Sequence, residues 1–160
     1  MISVETNSAK ETEDLGGLLS KYLKNGDIIA LSGELAAGKT TITQGICKGL
    51  NVDEQVESPT FTLVNEYHGD LKVFHIDCYR EHRIDEWIEI GIDEYLFNEG
   101  VSIVEWAEQI KELLPDNLIW ISLEHLQYTG TKRLISVKAT SELEKLLADD
   151  LKRLVKTEKI

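Results

Sequence analysis

Eight consecutive residues, Gly33-Glu34-Leu35-Ala36-Ala37-Gly38-Lys39-Thr40, satisfy the pattern G-x-x-x-x-G-K-[ST] at every position. The pattern has structural meaning only where a buried strand delivers the chain to the start of a helix. Both flanks meet that demand. Residues 27–32 (DIIALS) are apolar and β-branched at their centre, and Ile42, Ile46 and Leu50 recur at helical spacing beyond the loop. Gly38 can turn backbone amides inward, and the new helix offers N–H groups without intrahelical partners together with the positive end of its dipole. Lys39 adds a point charge for the outer phosphates, and Thr40 adds a hydroxyl suited to Mg²⁺. The loop therefore predicts a nucleoside triphosphate as ligand, in a fold where strands and helices alternate.

The rest of the chain is read against that expectation. Residues 9–24 form an opening helix, with Leu15, Leu18, Leu19, Tyr22 and Leu23 on one face and Asn25-Gly26 as its stop. Residues 60–67 and 71–77 flank His68-Gly69-Asp70 and read as a hairpin. Residues 81–98 are acidic and helical in pattern, divided near Gly91. A short buried strand over 101–105 precedes a helix over 107–114 that stops at Pro115. Strands over 118–123 and 133–139 lead to a terminal helix from 142 to about 155. Because a hairpin forces antiparallel pairing, the expectation is an α/β fold. It is one P-loop NTPase domain over residues 1–160, with a mixed, mostly parallel central sheet flanked by helices and carrying one antiparallel hairpin.

Charge and composition narrow the partners. The formal net charge of −12 argues against a broad basic surface for nucleic acid, although residues 131–160 hold eight Lys/Arg against five Asp/Glu. That basic tail reads as a solvated amphipathic helix. No apolar run approaches the roughly 20 residues of a membrane span, and the first residues lack a signal-peptide pattern. Cys47 and Cys78 suit neither a disulfide framework nor a metal site, and Cys47 reads as a small buried hydrophobe. A cytoplasmic location is expected.

Two carboxylates end apolar strands. Asp77 closes Val73-Phe74-His75-Ile76, and Glu105 closes Val101-Ser102-Ile103-Val104. Phosphate-loop proteins usually draw a Mg²⁺ ligand from such a position. With two available, one ligates the metal and the other orients the attacking water or the metal's shell; the pattern leaves open which does which. Ser58-Pro59-Thr60 has the place of a switch segment, where Ser58 and Thr60 close over the terminal phosphate. Arg80 follows Asp77 by three residues and can neutralise charge. His75 shares a strand face with Asp77, so a supporting hydrogen bond is open to it.

The phosphate loop, Ser58-Pro59-Thr60-Phe61-Thr62-Leu63-Val64, His75-Ile76-Asp77-Cys78-Tyr79-Arg80 and Val104-Glu105-Trp106 together resemble the bacterial TsaE (YjeE) family. Its members are small ATPases needed to make threonylcarbamoyladenosine beside the anticodon of tRNA. The resemblance runs from the first helix through Trp106. It implies that Leu35, Ala36, Ala37, Gly38, Lys39 and Thr40, with Thr41 in the first helical turn, hold ATP. It further implies that Thr40 and Glu105 ligate Mg²⁺, that Asp77 supports hydrolysis alongside Lys39 and as part of the metal site, and that Trp106 lies near the nucleotide. Thr12 matches a position near the adenine. The implied partners are the proteins TsaD and TsaB, with tRNA reached only through them, and turnover by the isolated chain is expected to be slow. Two departures stand out: Ala36 where the family often has Gly, and Ala107 where it often has Pro after the tryptophan. A small-molecule kinase is the alternative, since it shares the loop and the size. A GTPase is disfavoured because position 80 is Arg rather than Gly and no Asn-Lys-x-Asp segment is present.

Overall fold

The computed structural model describes residues 1–59, 62–79, 84–97, 99–126 and 130–158, and of 154–158 the backbone alone. In chain order the elements are β1 (Ile2–Thr6), α1 (Ala9–Ser20), β2 (Ile28–Gly33), α2 (Lys39–Gly49), β3 (Val64–His68) and β4 (Lys72–Asp77). Next come α3 (Ile84–Ile90), α4 (Ile92–Leu96), β5 (Val101–Glu105) and a 3₁₀ segment (Ala107–Leu113). The chain continues through β6 (Ile119–His125), β7 (Arg133–Lys138) and α5 (Ser141–Glu158).

The strands form a seven-stranded sheet ordered β1-β7-β6-β2-β5-β4-β3. Its centre, β6-β2-β5-β4, is parallel, and both flanks are antiparallel. A central parallel strand is covered on both faces and so reads as a continuous apolar run. Accordingly Ile28, Ile29, Ala30 and Leu31 of β2 are all buried. Their side chains divide between two cores. Ile29 and Leu31 join Val73, Ile103 and Ile121 under α1, α2 and α5. Ile28 and Ala30 join Ile76 and Val104 under α3, α4 and the 3₁₀ segment.

The α/β class, the mixed sheet and the hairpin follow the expectation, and Gly91, at φ 85°, separates α3 from α4 where the division was expected. Four details differ. Strand β1 was not foreseen, because its five residues are held only by pairing with β7 far along the chain. Helix α1 ends at Ser20, four residues early, where Lys21, Tyr22 and Leu23 leave it in tighter turns bonded back to Leu18, Leu19 and Ser20. Residues 107–113 are 3₁₀ rather than α-helical: the segment follows a left-handed residue without a side-chain cap, kinks at Ile110 and meets Pro115. Strand β3 begins at Val64, later than the expected 60, and residues 60 and 61 lie outside the described set.

Helices α1 and α2 pack unusually close because glycines face each other across the contact. A Cβ built on Gly45 would stand 2.0 Å from the backbone oxygen of Glu13, and one on Gly16 would stand 2.5 Å from that of Ile42. This contact lays the N-terminal half of α1 beside the phosphate loop.

Candidate functional site

The parallel register places three strand ends on one side of the sheet. Asp77 of β4 is level with Glu105 of β5, and Glu105 is level with Leu31 of β2, two residues before the loop begins. In open α/β sheets ligands bind beyond the carboxyl ends of such strands. The loop leaves β2 at Gly33 and enters α2 through Gly38, which caps the helix at φ 108°, an angle open to glycine without strain. Ala36 takes φ 62°, where a side chain costs energy. It is the position at which the resembling family often has Gly.

Lys39 is folded onto its own loop. Its ammonium donates to the carbonyls of Gly33 at 2.6 Å and Glu34 at 2.8 Å and sits 3.9 Å above the centre of the Trp106 ring. Burial lowers its pKa from 10.5, opposed by the negative charges of Glu105, Glu108 and Asp77. A cation pre-set among carbonyls at the mouth of a helix N-terminus is poised to exchange those contacts for stronger ones to an anion.

The two carboxylates have separate surroundings. Glu105, 3% exposed, accepts from the Thr40 hydroxyl at 3.1 Å through Oε1 and lies 2.5 Å from Nε2 of the fully buried His75 through Oε2. Asp77 accepts from the Ser58 hydroxyl at 3.1 Å and from the Tyr79 amide at 2.8 Å. The supporting bond open to His75 therefore goes to Glu105 on the next strand. Ser58 meets Asp77, while Thr60 and Arg80 lie outside the described residues. Trp106 adopts φ 57° and packs on Tyr79 with ring centres 4.9 Å apart. Thr12 is buried beside Gly38, its hydroxyl 2.7 Å from that of Thr6. Leu35 is 68% exposed at the loop's crest, and Ala37 is fully buried beneath it. Thr41 is half-buried in the first turn of α2.

Sequence reasoning missed the loop's outer brace. Arg133 of β7 donates through Nε to the Ala37 carbonyl at 3.1 Å and through a terminal nitrogen to the Ala36 carbonyl at 3.2 Å. Next to it in the sheet, His125 has Nε2 3.4 Å from the Leu35 carbonyl. No spacing in the sequence announces this, because the two residues reach the loop only through the β6–β7 pairing. Tyr67 was likewise unmarked, as a tyrosine in a hairpin ordinarily serves packing.

The donor set suits Mg²⁺ with a triphosphate: a hydroxyl and a carboxylate as hard oxygens, a partly desolvated ammonium and the amides of a helix start. Among the described residues no cluster of three or more His, Cys, Asp or Glu could hold a metal unaided. Both cysteines are free and buried, and burial pushes the Cys47 thiol up to about 12 and the Cys78 thiol higher still. Among the described residues no helix is long and apolar enough to cross a membrane.

Comparison with known proteins gives a consistent picture. The family model described as "Threonylcarbamoyl adenosine biosynthesis protein TsaE" matches residues 6–135. The chain is 38% identical to the tRNA threonylcarbamoyladenosine biosynthesis protein TsaE of Bacillus subtilis over 149 residues, 92% of each protein. It is also 38% identical to that of Treponema pallidum over 121 residues, 76% of this chain and 90% of the relative. The crystal structure of Bacillus subtilis YdiB superposes with a TM-score of 0.76 at 33% identity, covering 95% of this chain and 94% of the other.

Proposed function

The chain belongs to the TsaE family, whose role is in the biosynthesis of threonylcarbamoyladenosine in tRNA, and from that membership we propose that it is a Mg²⁺-dependent ATPase. Its cycle serves the complex that makes the modification. The supporting observation is the convergence of Lys39, Thr40, Glu105 and Asp77 at the carboxyl ends of β2, β4 and β5, around a complete phosphate loop.

In this reading the loop amides from Leu35 to Thr41 and the Lys39 ammonium bind the phosphates. Thr12 lies on the side where the adenine is expected, and Trp106 stands over Lys39. Thr40 and Glu105 would hold Mg²⁺, which supplies neutralisation of charge on the outer phosphates. Asp77, its carboxylate oriented by Ser58 and the Tyr79 amide, positions water for attack on the terminal phosphorus. The bond to the bridging oxygen then breaks, leaving ADP and inorganic phosphate. Such catalysis is mostly placement and charge stabilisation. Turnover by the chain alone is expected to be slow, and the partners to complete or pull the cycle. The partners of this reading are the TsaD and TsaB proteins, with tRNA engaged only through them, in the cytoplasm.

The test is ADP release from Mg²⁺-ATP by the purified chain, alone and with the TsaD–TsaB pair of the same cell. Turnover that appears or rises with the pair is expected. A pair that neither binds nor alters the rate would overturn the accessory role, and ADP release that depends on a small phospho-acceptor would replace it with a kinase.

A further inference from the structure

We propose that His75 is a positioning residue that ties Glu105 to the segment carrying Ser58, so that events at the phosphate loop are transmitted along β4 and β3 to residues 52–59. The proposal rests on the nucleotide-binding reading above and concerns a connection which that reading does not use.

The connection is a run of buried contacts. Thr40 donates to Glu105 Oε1 at 3.1 Å, and Glu105 Oε2 lies 2.5 Å from His75 Nε2. An ionised carboxylate only accepts, so Nε2 carries the proton and Nδ1 is free to accept. Nδ1 faces the Tyr67 hydroxyl at 3.5 Å, with ring centres 6.1 Å apart. The register explains the meeting: Asn65 is level with His75 and Tyr67 with Val73, which makes Tyr67 the diagonal neighbour of His75 on one sheet face. The same hydroxyl brackets Glu57: it accepts from the Glu57 amide at 3.3 Å and shares its one proton between the Glu57 carbonyl at 3.2 Å and Nδ1. Asn65 adds bonds of 3.3 Å to that carbonyl and to the hydroxyl. Ser58, the next residue, bonds Asp77. The run thus goes from α2 through β5, β4 and β3 to the candidate switch segment.

In the reading above Thr40 and Glu105 would hold one Mg²⁺ between them; such an ion would take a lone pair of the Thr40 oxygen and pull on the Oε1 side of Glu105, while Oε2 stays tied to the imidazole. In a close-packed, dry interior a carboxylate so tethered reorients together with its partner. The ring moves against Tyr67, whose hydroxyl sets where Glu57 lies. Gln44 of α2 holds the Val56 carbonyl at 3.0 Å independently of the run, so cutting the run leaves the segment anchored.

Tyr67→Phe cuts the run and keeps the ring. Amide hydrogen exchange is followed in the loop peptide, residues 33–41, and in the segment peptide, residues 52–59, with and without a non-hydrolysable ATP analogue and Mg²⁺. In the wild type the analogue slows both. In Tyr67→Phe the loop is expected to slow as in the wild type, while the slowing in 52–59 falls at least five-fold. His75→Gln, which keeps a donor for Glu105 and loses the Tyr67 side, is expected to show the same split. A merely structural Tyr67 would speed exchange in 52–59 equally with and without analogue; an unchanged ratio in both variants overturns the proposal. Absence of slowing at 33–41 in the wild type would instead overturn the nucleotide reading, and this inference with it.

Discussion

Lys39 and Ala36 carry opposite burdens in the phosphate loop. Lys39 is 5% exposed and its ammonium is bonded to two carbonyls of its own loop, so a bound triphosphate would exchange one set of contacts for another. Lys39→Ala should lose at least one charge-assisted hydrogen bond to phosphate, about 1.5–3 kcal/mol. That corresponds to roughly ten- to hundred-fold in ATP affinity; unchanged affinity in a nucleotide titration would remove Lys39 from the site. Trp106 fluorescence should report the same exchange, because an ammonium leaving the ring's face would change the charge beside the indole. Ala36 instead bears a backbone cost. A left-handed L-residue costs about 1–2 kcal/mol, and a glycine returns about 0.5–1 of that as lost chain entropy. Ala36→Gly is therefore expected to stabilise the fold by about 0.5–1 kcal/mol in chemical denaturation. A destabilised variant would show that the Ala36 methyl makes compensating contacts.

Elements bring these residues together, and here the sequence was unevenly legible. The loop, its flanking strand and helix, and the carboxylates ending β4 and β5 could be read directly, because each is a local pattern with its own periodicity. Partner choice was not local. The pairing of His75 with Glu105 depends on the register between β4 and β5, and the brace from Arg133 depends on β7 lying beside β6. Arg133→Ala should lower loop stability and nucleotide affinity together. Lysine should restore the charge only in part, since one ammonium cannot present the planar fork that reaches both Ala36 and Ala37. The α1–α2 contact is less forgiving. Gly45→Ala drives a methyl into the backbone at Glu13 and is expected to cost about 1–3 kcal/mol or more, read as a lower denaturation midpoint.

At the scale of the whole molecule, α5 closes one face of the sheet and is tied to the end of α1 by the Tyr22 hydroxyl donating to Asp150. That hydrogen bond, helped by Lys21, lowers the Asp150 pKa from 3.8. The sign follows: the folded carboxyl binds its proton less readily than the unfolded one. Its stabilisation is therefore complete above pH 3.8 and is lost only as pH falls through the lower folded value. Asp150→Asn should differ from the wild type by a constant amount at neutral pH. The gap should narrow only below pH 3.8 in acid unfolding; a gap that closes near neutrality would mean that another group is responsible.

The pairing of β1 with β7 has a consequence for how the protein is made. Ser3 and Ser136 meet across that pairing, 133 positions apart. At a ribosomal pace of about 5–20 residues per second, the first strand waits on the order of ten seconds for its neighbour. The arginine that braces the phosphate loop opens the same late strand. A nascent chain therefore emerges with the loop of residues 33–40 written but not yet braced, and strand β1 remains unpaired until β7 is synthesised.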